Sequence, residues 1–402
     1  MSYNANTFDV IIAGAGPAGA SAAIRLAGAG AHVLLVEEKK FPRAKLCGEF
    51  ISPECLTHFK QLEVMESMTA AGGDALTETV FYSRRGHSVK VPSEWFKAGT
   101  PALGLSRSEM DQQLLQRARS AGVVVLEETH VSRLLLEKGI VRGIAARNGM
   151  SHQEFTALMT IDATGRTRAL ARHLDPASGG AKQQKPLVAF KAHLSGARLA
   201  NNTCEMYFYR RGYGGLNSVE GGLSNLCFIV ASSDVRQLGS DPEVVLREIV
   251  KRNPRAAYTL AEATTQSPWL SVSLESFGRR TLAPAAGLMT VGDAAAFIDP
   301  FTGSGMLMAL ESGQVAAEAI AGNLTQLRRG LAQQETASAY RTQYHQRFDS
   351  RLRIAGLLRR AAFVPYLDEA AILLFGTSSR LRRKLARATR QSRAPRARAS
   401  SV

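Results

Sequence analysis

The chain of 402 residues is poor in cysteine and tryptophan and has no long hydrophobic run. Its four cysteines, Cys47, Cys55, Cys204 and Cys227, show no CxxC spacing, which fits free thiols rather than a disulfide framework. Its eight histidines form no HxxxH or HExxH pattern, so no metal site is expected. No apolar stretch approaches the roughly 18–20 residues that cross a bilayer. With no secretory signal in the opening MSYNANTFDV, these absences predict a cytoplasmic protein.

Positive charge is abundant but unevenly placed. The net charge is +16, nine Lys or Arg residues lie between Arg380 and Arg398, and no acidic residue follows Glu369. This basic tail is interpreted either as a solvated, frayed terminus or as a segment attracted to an anionic membrane surface. Nucleic-acid binding is not expected, because no aromatic residue is interleaved in the tail to stack on bases.

The first fifty residues predict one βαβ unit. An apolar strand (9–13) leads into GAGPAG (14–19), a run of small residues and a second apolar strand that ends at Glu37. The GxGxxG glycines allow a tight turn, close approach to a pyrophosphate and close helix–strand packing. The helix beginning near Pro17 offers N–H groups to that pyrophosphate, and Glu37 is placed to accept from a ribose hydroxyl. The candidate dinucleotide contacts here are Gly14, Gly16, Pro17, Ala18, Gly19 and Glu37.

Two further motifs lie far along the chain. The first is DATGR (162–166), at the end of a short apolar strand, and the second is GDAAAFIDPFTGSGM (292–306). In the second, Gly292 allows close backbone approach, and Asp293 is either a hydroxyl acceptor or a helix N-cap. The backbone around 303–306 should point N–H groups into a cleft. The candidate site residues of this motif are Gly292, Asp293, Pro300, Gly303, Ser304, Gly305 and Met306.

In their order, these three motifs resemble the flavoprotein hydroxylase superfamily that includes para-hydroxybenzoate hydroxylase. Within it, KLCGE (45–49) is similar to the geranylgeranyl-reductase-like branch. The resemblance covers roughly residues 8–325 and implies FAD as the cofactor. It also implies an α/β fold, in which a Rossmann-like FAD-binding domain is interrupted by an antiparallel-sheet substrate domain and followed by a helical C-terminal region.

The expected domain boundaries follow the change in strand pattern. Residues 1–75, 100–182 and 283–325 are predicted to form the FAD-binding domain. The strands between them, with glycine-rich turns at 212–222, predict an antiparallel substrate domain from residues 76–99 and 183–282. Residues 326–402 are predicted to be C-terminal helices and the basic tail. A cleft between the domains would be the binding site.

The resemblance also implies roles for single residues. It places Arg107 beside the FAD pyrophosphate, although the residue alone reads equally as a surface arginine. It places Cys47 over the isoalloxazine ring, where the thiol could donate a proton, tune the flavin or shape the pocket; a buried, inert thiol is the alternative. Arg43, Lys45 and Gly48 lie in the same loop and are candidates for the same cleft. A helix N-terminus at 303–306 would stabilise the anionic reduced flavin.

Three chemistries stay open at this point. The first is reduction of a carbon–carbon double bond in an apolar prenyl, polyketide or lipid-like substrate, with NADPH or NADH as transient electron donor. The second is hydroxylation of a secondary metabolite by a flavin monooxygenase. A non-catalytic, membrane-docking flavoprotein is the third. A halogenase is disfavoured because Trp95 and Trp269 stand alone rather than in a WxWxIP element. The Trp and Phe-Pro of prenyl reductases are missing from residues 206–213, which leaves the substrate open.

Overall fold

A computed structural model describes residues 6–175, 186–274, 277–362 and 367–388. The strands in these ranges are β1 (Thr7–Ala13), β2 (Val33–Val36), β3 (Phe50–Ile51), β4 (Asp74–Leu76), β5 (Glu78–Tyr82), β6 (Ser88–Pro92), β7 (Ala102–Gly104), β8 (Val124–Leu126), β9 (His130–Glu137), β10 (Ile140–Asn148), β11 (Ser151–Asp162), β12 (Leu187–Ser195), β13 (Thr203–Tyr209), β14 (Gly212–Ser218), β15 (Ser224–Ala231), β16 (Thr264–Thr265), β17 (Leu270–Leu274), β18 (Gly278–Arg279), β19 (Leu288–Thr290) and β20 (Ala296–Phe297).

The α-helices are α1 (Pro17–Gly28), α2 (Pro53–Gln61), α3 (Met65–Ala70), α4 (Arg107–Ser120), α5 (Ser232–Gln237), α6 (Pro242–Glu248), α7 (Pro254–Thr259), α8 (Gly305–Ala321), α9 (Leu324–Arg328), α10 (Gln333–Ala362), α11 (Leu367–Thr377) and α12 (Ser379–Ala388). The sequence of residues 54–68 predicts a single helix, and the structure divides this range between α2 and α3. The basic tail is described only as far as α12, so its later residues lie outside the described ranges.

The first sheet has the strand order β8-β2-β1-β11-β10-β9, with β19 also paired to β11. Strands β8, β2, β1, β11 and β19 run parallel, and β9 and β10 are antiparallel additions. The sequence pattern at 123–127 and 131–137 predicts the two strands of a hairpin. In the structure β8 instead pairs in parallel with β2, and the hairpin is β9 with β10. The α/β fold class is confirmed.

The second sheet has the order β16-β12-β15-β14-β13-β5-β6, with β17 paired to β12. Its pairs are antiparallel except for β5 with β13, which is parallel. Strands β5 and β6 thus reach this sheet from an early part of the chain. The domain boundaries given above stay a prediction, and the two separate sheets are the observation that supports them.

Glycines allow the helices that cover the first sheet to approach closely. A Cβ on Gly313 of α8 would lie 2.2 Å from the Ala18 carbonyl oxygen of α1. The two helices therefore pack with backbone against backbone, and a larger residue at this position would force them apart. The contact joins the first turn of α1 to the middle of α8.

The C-terminal helices extend beyond the two sheets. Helix α11 lies beside β6 and α12 beside the turn that contains Trp95, where Arg382 and Arg383 lie over the indole ring. The buried side chain of Ile372 belongs to an apolar cluster of the second sheet. None of the described helices is long and apolar enough to cross a membrane.

Candidate active site

A cavity of about 640 Å³ lies between the two sheets, within the range expected for a ligand site. Sixteen of the eighteen predicted site residues line it. They are Gly14, Gly16, Pro17, Ala18, Glu37, Arg43, Lys45, Cys47, Gly48, Arg107, Gly292, Asp293, Pro300, Gly303, Gly305 and Met306. The other two, Gly19 and Ser304, lie behind its wall. The structure thus brings together residues from five separated segments of the chain.

The glycine motif forms a cradle that larger residues would fill. Gly14 has φ +101°, and a Cβ there would lie 2.4 Å from the Ala163 carbonyl oxygen. A Cβ on Gly19 would lie 1.9 Å from the Gly14 carbonyl oxygen. Gly16 is the N-cap of α1 and has no side chain to bond the first turn. The start of α1 therefore presents its N–H groups to the cavity, as an anionic pyrophosphate requires.

Glu37 is buried at the end of β2 and lines the cavity. Its carboxylate accepts hydrogen bonds from the backbone N–H groups of Ala15 at 2.9 Å and Lys39 at 3.0 Å. It therefore ties the glycine turn to the second strand of the βαβ unit. Contact with a ribose hydroxyl stays a prediction.

Arg107 is buried rather than exposed, so the interpretation as a surface arginine is wrong. It begins α4, and its guanidinium donates to both carboxylate oxygens of Asp111, at 2.9 and 2.7 Å. Arg43 donates to the same carboxylate at 3.2 Å. Burial acts to lower the pKa of Arg107, but Asp111 outweighs it and keeps the group charged. Asp111 thus holds two cations at the cavity wall beside Gly16.

Asp293 projects its carboxylate toward the cations of the cavity. Burial raises its pKa, and the charges of Arg166, Arg107 and Lys45 oppose that rise. Burial lowers the pKa of the Lys45 ammonium, and the nearby Arg43, Arg107 and Arg166 lower it further. The helix N-cap interpretation of Asp293 is wrong, because the short 3₁₀ turn Gly292–Ala294 is capped by Val291. Contact between Asp293 and a ligand hydroxyl stays a prediction.

The second glycine segment leads into α8, and Gly303, Gly305 and Met306 line the cavity. Ser304, the N-cap of α8, makes no side-chain hydrogen bond to the first turn of the helix, and its hydroxyl bonds that of Thr302 at 2.7 Å instead. Gly303 adopts φ +58°, a conformation that glycine tolerates, where the chain turns into the helix. The first turn of α8 consequently faces the cavity, where it can stabilise negative charge.

Cys47 lies where the two sheets meet. The N–H of Glu49 donates to its Sγ at 3.4 Å, and Asn225 Nδ2 of β15 donates to its carbonyl oxygen at 3.2 Å. Burial raises the pKa of the thiol, while the neighbouring Arg107 acts to lower it. The thiol is therefore protonated at neutral pH, and Cys47 lines the cavity. Its role in the site stays a prediction.

The far side of the cavity is apolar and comes from the second sheet and the segment before α8. A Cβ on Gly215 would lie 2.9 Å from Met206 Sδ, so the glycine leaves space at that point of the wall. The apolar lining residues are Phe81, Ala189, Met206, Ile229, Leu270, Val272, Leu274, Phe297 and Phe301. This surface suits a hydrocarbon chain.

Sequence reasoning missed several polar residues of the site. Arg166 lines the cavity from the DATGR motif but was not selected. Glu49, also at the cavity wall, is paired with Lys191 and His193 of β12. One signal was available: Lys191 and His193 alternate on one face of an otherwise apolar strand, which is unusual for side chains that point into a core.

The glycine cradle, the uncapped helix starts and Asp293 define a dinucleotide-binding flavoprotein site. The chain belongs to the FAD binding domain family, whose profile matches residues 7–353. It is an FAD-dependent oxidoreductase.

Similar proteins carry reductase and halogenase names. A digeranylgeranylglycerophospholipid reductase of Methanosarcina mazei is 28% identical over 321 residues, which cover 78% of this chain and 74% of that protein. A flavin-dependent halogenase of Armillaria mellea is 25% identical, over 83% of this chain and 70% of that protein. The solved structure of a geranylgeranyl bacteriochlorophyll reductase-like protein of Thermoplasma acidophilum has a TM-score of 0.80 at 20% identity, covering 94% and 96% of the two chains. This last similarity shows the fold alone. The predicted similarity to geranylgeranyl reductases is confirmed by the first of these relatives.

Proposed function

We propose that this enzyme reduces a carbon–carbon double bond in an apolar, lipid-like substrate. The single observation that carries the proposal is the form of the cavity, which joins a dinucleotide cradle to an apolar wall across the thiol of Cys47. Similarity to a reductase of geranylgeranyl lipids supports the same chemistry. The charged groups of the lining gather on the cofactor side, so the substrate side would select mainly by shape and hydrophobicity.

FAD would be held mainly by backbone groups. The starts of α1 and α8 would face its anionic parts, Arg107 would neutralise the pyrophosphate, and Asp293 would accept from a hydroxyl. Arg43 and Lys45 add positive charge at the same wall. When bound, FAD supplies the two electrons of the reduction. We assign the delivery of those electrons to NADPH or NADH, acting as a transient donor.

Cys47 is the group that we assign to proton transfer. Reduction of a double bond needs one proton at the carbon that does not receive the hydride. The Cys47 thiol is protonated, faces the cavity and lies beside Arg107, whose charge would stabilise the thiolate left after transfer. Tyr213 also lines the cavity, but its hydroxyl already donates to Asp299, so Cys47 is the donor that we assign.

Contact with an anionic membrane would bring such a substrate to the enzyme. Leu373 and Leu374 of α11 are more than half exposed, at 56% and 58%, while the adjacent Ile372 is buried. The next helix, α12, exposes cationic side chains, including Arg383 and Lys384. Exposed leucines beside a basic helix are typical of a peripheral membrane surface. We therefore propose a cytoplasmic enzyme that docks at a bilayer through α11 and α12.

Vesicle co-sedimentation tests the docking. Wild-type protein should co-sediment with phosphatidylglycerol vesicles and should stay in the supernatant with phosphatidylcholine vesicles. The charge-reversal variant Arg383→Glu with Lys384→Glu should bind the vesicles at least about tenfold more weakly, since each basic residue near the membrane surface contributes about 1 kcal/mol. Leu331→Asn, at an exposed leucine outside this surface, is the matched control. Equal binding by the reversed variant and the control would refute the docking surface.

An anaerobic single turnover tests the reaction. The protein would be reduced with dithionite and mixed with vesicles carrying unsaturated geranylgeranyl phospholipid, menaquinone or a polyunsaturated fatty acid. The proposal predicts flavin reoxidation without oxygen and a product heavier by two hydrogens. Reoxidation only after air is admitted, with one oxygen or one halogen added to the product, would replace the reductase by a monooxygenase or a halogenase.

A further inference from the structure

Three ionisable side chains meet in the interior behind the cavity wall. Glu49 is fully buried, and its carboxylate accepts from Lys191 Nζ at 2.9 Å and from His193 Nε2 at 2.6 Å. The backbone N–H of Arg107 donates to the same carboxylate at 2.9 Å. Lys191 is 2% exposed. Such a cluster is costly to bury, so it indicates a purpose other than stability.

The cluster joins parts of the chain that are distant in sequence. Glu49 belongs to the loop before β3, Lys191 and His193 belong to β12, and Arg107 begins α4. Glu49 therefore connects β12 of the second sheet to the start of α4 on the cofactor side of the cavity. The ion pair spans 142 residues of sequence.

The backbone of this loop is held equally firmly. Glu49 has φ +52°, in the left-handed region that residues other than glycine seldom adopt. Its carbonyl oxygen accepts from Asn217 Nδ2 at 3.3 Å, while the Cys47 carbonyl accepts from Asn225. A strained conformation persists only where its surroundings hold it, and such positions concentrate at functional sites. These two hydrogen bonds therefore hold the backbone on both sides of Gly48 against the second sheet.

The charges also act on the thiol. The groups that face Cys47 are the guanidinium of Arg107 on α4, the carboxylate of Glu49 in its own turn and the thiol of Cys227 on β15. Burial alone would raise the pKa of Glu49, but the hydrogen bond from His193 and the charge of Lys191 lower it below its usual range. Glu49 is consequently ionised, and its negative charge opposes the loss of a proton from Cys47.

We propose that Glu49, with Lys191 and His193 behind it, is the positioning residue for Cys47. It holds the thiol at the cavity wall and keeps it protonated until the reaction takes the proton. Lys191 and His193 offset part of the negative charge of Glu49. The pKa of the Cys47 thiol is therefore not raised so far that the thiol could no longer give up its proton. The consequence for turnover depends on the proposed reductase function; the control over the thiol does not.

Alkylation of Cys47 as a function of pH tests this directly. The FAD-loaded protein would be treated with iodoacetamide, and the modified Cys47 peptide quantified by mass spectrometry, with Cys47→Ser as the assignment control. Glu49→Gln removes the negative charge but keeps an oxygen for the Arg107 N–H. Its alkylation profile should move to lower pH by about one unit, an approximately tenfold faster reaction below the midpoint. Lys191→Met should move the profile to higher pH.

Each single variant leaves one buried charge without its partner, which can destabilise the fold. The double variant Glu49→Gln with Lys191→Met removes both charges of the ion pair and so controls for misfolding. Its profile should lie between those of the single variants. Unchanged profiles in all three variants, with FAD still bound, would overturn the proposal, as would shifts of Glu49→Gln and Lys191→Met in the same direction. Because alkylation needs no turnover, opposite shifts in a protein that fails the reductase assay would uphold this inference while refuting the proposed function.

Discussion

The two walls of the cavity are built by different means. The cofactor wall relies on backbone: positive-φ glycines, helix starts without side-chain caps and carbonyl contacts that leave no space for a Cβ. The substrate wall relies on side chains that six different segments contribute to one apolar surface. A backbone site accepts one kind of ligand and tolerates little substitution, whereas a side-chain surface can be reshaped by single changes. The predictions below test this contrast.

The largest effect is expected at the glycines of the cofactor wall. Gly14→Val and Gly19→Val should each weaken FAD binding about hundredfold or more, close to 3 kcal/mol, because the new side chains meet carbonyl oxygens at 2.4 and 1.9 Å. Flavin absorbance per protein after gel filtration measures the loss. Gly28→Val is the control, since a Cβ there meets nothing within 4 Å. A fully yellow Gly14→Val protein would contradict the backbone account.

The next effect concerns the stability of the second sheet. Buried Glu205 accepts from Arg255 and from the hydroxyls of Tyr207 at 2.6 Å and Thr259 at 3.0 Å. Glu205→Ala leaves the partners unpaired and should lower the free energy of unfolding by about 3 kcal/mol. Urea unfolding measures the change, and FAD content should persist under native conditions.

The exposed pair of Glu262 with Arg198 offers a control of the same chemistry. Glu262→Ala should leave the unfolding curve close to that of the wild type, because exposed ion pairs contribute little. If both glutamate variants unfold at the same urea concentration, the buried network does not stabilise the substrate wall.

A pH effect should appear on the cofactor side, from His58 of α2. Burial lowers the pKa of this imidazole to about 4. Between about pH 6.5 and 4 the His58 imidazole is protonated in the unfolded chain but neutral in the folded chain. The free energy of unfolding therefore falls as the pH drops from 6.5 toward 4, by about 3 kcal/mol in total. Unfolding measured at pH 7 and pH 5 should show a smaller difference in His58→Gln than in the wild type. Parallel pH dependence in the two proteins would remove His58 from the account.

The smallest effect is expected at the substrate wall. Gly215→Val should place methyl groups against Met206 Sδ and narrow the apolar space, raising KM about tenfold while FAD content stays normal. Adding Met206→Ala should return space and lower KM again, since the two residues are cross-strand partners. A loss of FAD from Gly215→Val would show that the walls are not separable as described.

The predictability of the molecule follows the same division. One short, continuous unit comprises β1, the turn at Gly14, helix α1 and Glu37. Its conformation depends on neighbouring residues, so the sequence alone predicts where each part lies. The spacing of Ser106 and Glu109 predicts a capping box at the start of α4, and the Ser106 hydroxyl does accept the Glu109 N–H at 3.2 Å. The return bond of that capping box is replaced, because the Ser106 N–H donates to Glu220 instead.

Long-range pairings could not be read in this way. Strand β8 has the apolar pattern of a hairpin strand, yet its partner is β2, ninety residues earlier, because only the assembled parallel sheet offers that edge. Glu49 belongs to the KLCGE motif, but the sequence does not indicate its partners, because Lys191 and His193 lie on the second sheet. Their meeting depends on how the two sheets pack, which no local pattern encodes.

The most direct measurement is a crystal structure of the FAD-loaded protein. The account predicts the pyrophosphate between the starts of α1 and α8, a hydroxyl bonded to Asp293, and the isoalloxazine ring beside Cys47 with the apolar wall opposite. Density for FAD with its ring turned away from Cys47, or with the pyrophosphate distant from Gly16, would contradict the division of the cavity into a cofactor wall and a substrate wall.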